Sequence, residues 1–184
     1  MKLKSLLFFL AAMMPLSISA EKLVEKETGL PLNQKTPEIQ TYMIDGNPAT
    51  LADISGDKGA ILVFYRSADW CSFCKKHLIE INGWNQKFND IGYKFAGISY
   101  DSTDILKTFS DAQNIAFPLL SDPQSKTIIS YNILNTEQKP GSKGYGIPFP
   151  GIMLINPEGV LTYKYFYEGY KDRVNLEELY NSLK

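Results

Sequence analysis

Ala60-Ile61-Leu62-Val63-Phe64-Tyr65 and Trp70-Cys71-Ser72-Phe73-Cys74 decide the fold, with five residues between Tyr65 and Cys71. An unbroken apolar run of six residues reads as a strand buried on both faces. From Cys71 to about Phe88 the apolar residues Leu78, Ile81, Trp84 and Phe88 recur every three or four positions, so this stretch reads as a helix. Gly83 weakens its middle. The two cysteines therefore open a helix that directly follows a central strand. At i and i+3 on a first turn they can close a small disulfide ring. The first sulfur lies near unpaired backbone N–H groups and the positive end of the helix dipole. Both favour the thiolate and lower its pKa below the free value of about 8.5. Cys71, nearer the tip, is expected as the nucleophile. Cys74, one turn in, is expected as the more buried resolving thiol. Lys75 and Lys76 add positive potential.

Working outward, Tyr93–Ser99 reads as a second central strand and Thr103 to about Gln113 as a second helix, started by Ser102 or Thr103. Thr41–Ile44 is a short strand before the Asp45-Gly46 turn. Phe117–Leu120 is short and extended, Lys126–Tyr131 a brief helix, and Leu134–Gly146 a loop. Ile152–Ile155 and the alternating Val160–Tyr167 form a hairpin around Asn156–Gly159. Asn175 and Glu178 start a last helix. This order predicts a three-layer α/β domain with a central sheet and helices on both faces.

Composition narrows the function. The 184 residues are 44% apolar and 12% aromatic, which excludes low-complexity disorder. A net charge of −1 gives no electrostatic case for nucleic acid. Two cysteines cannot staple a miniprotein, and one histidine leaves no multi-metal site. Met1–Ala20 reads as a cleaved secretory signal: Lys2 and Lys4, an apolar run Leu6–Leu16 too short to span a membrane, then small residues up to Ala20. No Cys sits at the cleavage point, which excludes lipidation there. Removal leaves 164 residues, with no further run of about 20 apolar residues and no membrane contact expected. Glu21–Pro31 reads as an irregular leader and Leu32–Lys184 as the domain. In an oxidising compartment the two thiols are expected to pair. A structural disulfide over so short a loop would stabilise little. A metal site would need about four ligands, and no second Cys pair or His pair is present. No cofactor is expected.

Further blocks carry a resemblance: Lys35-Thr36-Pro37-Glu38-Ile39, Gly97-Ile98-Ser99-Tyr100-Asp101, Phe117-Pro118-Leu119-Leu120-Ser121-Asp122, and Pro150 to Gly159. With Ile61–Cys74 they resemble the thioredoxin-like redoxins of the alkyl hydroperoxide reductase/thiol-specific antioxidant (AhpC/TSA) superfamily, over roughly Leu32 to Lys184. The resemblance implies a thioredoxin fold, a mixed sheet with an N-terminal extension, and a redox-active CxxC. It implies that Pro150 is the cis proline facing the CxxC, with Phe149 before it and Pro148 as the competing assignment. It implies that Trp70 packs beside the active site. Two departures weigh against a peroxide pocket: Arg66 stands where peroxiredoxins carry Pro, and Trp70 where they carry Thr. Tyr65 occupies the place of the buried acid of many thioredoxins, and His77 that of a glutamate in related membrane-tethered proteins.

Arg66 is read as a candidate for steadying the Cys71 thiolate, against the blander reading of a surface ion pair. His77 is read as a candidate proton relay to Cys74, against the favoured reading of a surface histidine. Tyr163, Tyr165, Tyr167 and Tyr170 read as edge-strand surface and core. Lys139–Gly146 is a loop placed to shape substrate access. The leading expectation is an exported, periplasmic thiol:disulfide oxidoreductase using Cys71 and Cys74. A thiol-dependent peroxide reductase on the same residues is the alternative, and a copper- or zinc-binding protein the least favoured. The partners expected are thiols, disulfides or peroxides, with an unidentified thiol partner that reduces or oxidises the pair. The dipeptide Ser72-Phe73 tunes the potential without revealing its direction.

Overall fold

The computed structural model describes residues 24–184. The secretory signal assigned to Met1–Ala20 lies outside them. The elements are β1 (Thr41–Tyr42), β2 (Pro48–Ala49), a 3₁₀ turn (Ala52–Ile54), β3 (Gly59–Phe64), α1 (Ser72–Asp90), β4 (Tyr93–Ser99), α2 (Thr103–Gln113), β5 (Leu119–Ser121), α3 (Lys126–Ser130), β6 (Gly151–Ile155), β7 (Leu161–Phe166) and α4 (Leu176–Leu183).

The strands form one mixed sheet in the order β2-β1-β5-β4-β3-β6-β7. β3, β4 and β5 are parallel neighbours, and β6 runs antiparallel to β3 and β7. The steps β3→β4 and β4→β5 go the same way, so right-handed crossovers put α1 and α2 on one face. β3 is buried throughout, and alternation divides it between two cores. Ile61, Val63 and Tyr65 face α1, α2 and α4 with Leu78, Ile81, Phe88, Leu106 and Leu179. Ala60, Leu62 and Phe64 face α3 and the 3₁₀ turn with Ile54, Ile128, Tyr131 and Met153. The thioredoxin-like α/β architecture is therefore present, with helices on both faces.

Gly59 has φ of +120°, and a Cβ there would collide with the Ile155 carbonyl oxygen. Only glycine lets β3 begin this close to β6. Asn175 starts α4 as expected, its side-chain oxygen accepting from the N–H groups of Glu177 and Glu178. The described part of the leader is irregular but for one bridge. It pairs with the edge strand: Glu25 bridges Tyr167, the Lys26 N–H donates to the Phe166 carbonyl, and the Glu168 N–H donates to the Val24 carbonyl. The cause is tertiary, since β7 has a free edge that can accept another extended segment.

Candidate active site

Cys71 caps α1 in an extended conformation, and its Sγ accepts the Cys74 N–H at 3.2 Å. The two sulfurs are joined in a disulfide with Cα atoms 5.2 Å apart. Cys71 is 4% exposed and Cys74 0%, so both are buried and the first is the less enclosed residue. Backbone donation to Cys71 Sγ is the helix-tip effect expected for a stabilised thiolate.

The loop before Cys71 is fixed by Asp101, which follows β4. Its buried carboxylate accepts from the Ala68 N–H (2.7 Å), Ser67 Oγ (2.9 Å) and Ser99 Oγ (2.9 Å). Burial still pushes its pKa above the ordinary value, against these bonds. Ser67 Oγ accepts in turn from the N–H groups of Asp69 and Trp70. Trp70 Nε1 donates to Tyr100 Oη at 2.9 Å, and Tyr100 Oη donates to the Lys143 carbonyl at 2.8 Å. The loop before β6 is thereby tied to the CxxC loop. Tyr65 is fully buried on the cysteine side, and burial raises its pKa and keeps the phenol protonated.

Arg66 is no surface ion pair. Its guanidinium carbon sits 4.8 Å from the ring centres of both Trp70 and Tyr170, a cation–π sandwich. Its Nε is buried without a hydrogen-bond partner. Tyr170, read from the sequence with its neighbouring tyrosines as surface and core, is exposed and meets Phe73 edge-on at 6.1 Å. His77 is no surface residue either. It is 5% exposed, its Nε2 has no partner, and burial, assisted by Arg173, holds its pKa down to about 3. It is neutral near pH 7 because its place one turn below Cys74 faces the core rather than solvent. Arg173 comes from the loop before α4 and puts Nη2 4.0 Å from Cys74 Sγ. Burial, then Arg66, lowers its pKa to about 10, leaving it a cation near neutrality.

The proline assignment needs correction. No cis peptide bond occurs among the described residues, so neither Pro150 nor Pro148 follows one. The chain enters β6 extended, with the Phe149 N–H bonded to the Ile133 carbonyl and a bridge between Leu134 and Pro148. Pro150 precedes Gly151, which pairs with Phe64 at the end of β3, so it does sit at the end of the sheet that carries the site. The Phe149 ring points away from the cysteines. It packs with the core on the opposite sheet face, and Lys26 Nζ lies 4.3 Å above its ring.

Beside the loop, a groove of about 580 Å³ between α1 and α2 is lined by Ala68, Asp69, Lys75, Ile79, Ile105 and Phe109; neither cysteine lines it. Among the described residues no group of three or more His, Cys, Asp and Glu is placed to hold a metal ion. Sequence reasoning assigned no role to Asp101 or Arg173 and no site role to Tyr170. Asp101 lay within a block quoted for the resemblance, which was its one available signal.

Comparison with known proteins completes the picture. The family model described as AhpC/TSA family matches residues 32–164. A provisionally named peroxiredoxin of Mycobacterium tuberculosis is 31% identical over 122 residues, covering 66% of this chain and 76% of its own. Peroxiredoxin 2 of Sulfuracidifex metallicus is 26% identical over 142 residues, covering 74% of this chain and 63% of its own. Among solved structures, peroxidoxin BcpB of M. tuberculosis superposes with a TM-score of 0.69 at 20% identity, covering 83% and 95% of the two chains. A peroxiredoxin-like protein of Aquifex aeolicus gives 0.71 at 20%, covering 88% and 89%. With its two cysteines joined at the tip of α1, the chain belongs to the AhpC/TSA family and is a thiol-dependent oxidoreductase.

Proposed function

We propose that the protein is a thiol-dependent peroxide reductase in which Cys71 attacks the peroxide and Cys74 resolves the product. The observation that carries this reading is a closed Cys71–Cys74 ring at a helix N-terminus in a chain whose relatives are named peroxiredoxins. The Cys71 thiolate takes one peroxide oxygen, the O–O bond breaks, and the other oxygen leaves as an alcohol or water after protonation. Cys71 becomes a sulfenic acid. Cys74 attacks that sulfur, the S–S bond forms, and the hydroxyl leaves as water. An external dithiol then reduces the ring by exchange.

This order reverses the sequence-based preference for disulfide exchange. That preference rested on Arg66 and Trp70 in place of the peroxiredoxin Pro and Thr. Thiol:disulfide exchange remains the second reading, because the two residues that stand in for the peroxiredoxin Pro and Thr, Arg66 and Trp70, are stacked on each other. Stopped-flow oxidation of the reduced protein by hydrogen peroxide decides. Rapid loss of both thiols, one peroxide per ring, is expected. Oxidation no faster than a free cysteine, beside rapid exchange with a protein disulfide, overturns the proposal.

The proposal includes export to a bacterial periplasm. Its support is the n-region at Lys2 and Lys4, the short apolar run and the small residues up to Ala20. Intact mass of the protein from an exporting host should correspond to a chain beginning at Glu21. Retention of Met1 would refute it.

A further inference from the structure

We infer that Arg173 is the charge partner of the resolving thiol, holding Cys74 as a reactive thiolate while Cys71 carries the sulfenic acid. The inference rests on the peroxide-reducing reading and concerns its second step. Cys74 is fully buried, and burial raises a thiol's pKa and slows its attack. The helix-tip donor does not serve it, because the Cys74 N–H points at Cys71 Sγ. A cation must therefore reach Cys74 from another element.

Among the described residues Arg173 alone has that geometry. Its Nη2 points at Cys74 Sγ at 4.0 Å, while Nη1 donates to the carbonyls of Tyr170 (2.8 Å) and Asp172 (2.6 Å). Two backbone acceptors fix the fork, so the other nitrogen is aimed before the ring opens. Among the described residues Arg173 forms no ion pair with a carboxylate. A new thiolate thus meets an unspent cation. The other charged or titratable groups around it are His77 on α1, Arg66 at the end of β3 and Asp172 beside Arg173. His77 is neutral. Arg66 is held between Trp70 and Tyr170 and adds a second positive charge. Asp172 opposes them.

In the resolving step the Cys74 thiolate attacks Cys71 Sγ. The S–S bond forms, the S–O bond breaks, and hydroxide leaves and is protonated to water. Arg173 supplies no proton and no electrons; it lowers the cost of the thiolate.

The test follows both phases of peroxide oxidation in the full chain, with sulfenic acid trapped by a dimedone probe. In R173Q the first phase should slow less than the second, because Nη2 points at Cys74 Sγ while Cys71 Sγ keeps the Cys74 N–H. The second should slow on the order of tenfold at pH 7 and recover as pH rises, since one unit of thiol pKa is a tenfold change in thiolate. R173K should restore most of the rate by restoring charge. A second phase unchanged in R173Q overturns the inference. So does slowing that is equal at every pH or not relieved by R173K, because that marks Arg173 as a mere tie for the loop. An absent fast first phase in the wild type would instead fail the peroxide reading. The inference then stands or falls on direct titration of Cys74 in the reduced protein, where R173Q must raise its pKa.

Discussion

His77 holds a ring nitrogen, Nε2, that is buried without a partner, and a pKa held down to about 3 by burial. The unfolded chain keeps the ordinary value of about 6.5. Between these values the unfolded state binds the proton that the folded state rejects, so this group costs stability as pH falls from about 6.5 towards 3. Asp101 and Asp122 act oppositely. Burial raises their folded pKa values, so just above the ordinary carboxyl value the folded state holds the extra proton and gains stability on acidification. The histidine contribution is therefore read as a difference between variants. His77→Leu should lie within about 1 kcal/mol of the wild type at pH 7, because it removes an unpaired polar atom along with the ring. At pH 4.5 it should be clearly more stable than the wild type in urea unfolding. Parallel pH curves for the two proteins would contradict a buried neutral His77.

Asn175 sets the start of α4 through bonds to the N–H groups of Glu177 and Glu178. Asn175→Ala should cost about 1 kcal/mol, the usual loss of an N-cap, read as a lower urea midpoint at unchanged slope. The Arg173 fork is held by the carbonyls of Tyr170 and Asp172 rather than by the cap. The resolving rate should therefore survive the substitution. A loss of rate equal to that of R173Q would show that α4 itself positions the arginine. The elements that could be read in the sequence were those with local signals. β4 and α2 have the bounds that apolar runs and capping residues predict, and α1 runs only slightly beyond the expected end. The two cysteines were legible for the same reason, because their chemistry depends on a three-residue spacing and one helix tip. Arg173 was not, since it meets Cys74 across 99 residues and carries no local pattern. His77 was misread although its spacing was informative, since it lies three residues after Cys74 and four before Ile81 on the buried face of α1.

At the scale of the molecule the sheet has two ends, and the leader closes one of them. β7 is the last strand, and its outer edge is paired with residues 24–26. Lys26 fastens that contact. Its Nζ lies 3.2 Å from Glu168, 3.8 Å from Glu137 and 4.3 Å from the Phe149 ring centre. Beyond it the Gly29 N–H and Thr28 Oγ donate to the Asn132 carbonyl, and Lys164 Nζ donates to the Thr28 carbonyl. Residues 24–29, ahead of the expected domain start at Leu32, thus bond to the domain's edge. A chain starting at Leu32 loses three backbone hydrogen bonds, each contributing about 1 kcal/mol net, so it should be less stable by about 2–4 kcal/mol. It also bares a strand edge that can pair with a second copy. Urea unfolding and light scattering of the two chains, each starting at Glu21 or Leu32, measure both effects. The shorter chain should unfold at lower urea and associate as concentration rises. Equal midpoints and equal mass would show that the sheet ends at β7 and that the leader merely rests on it.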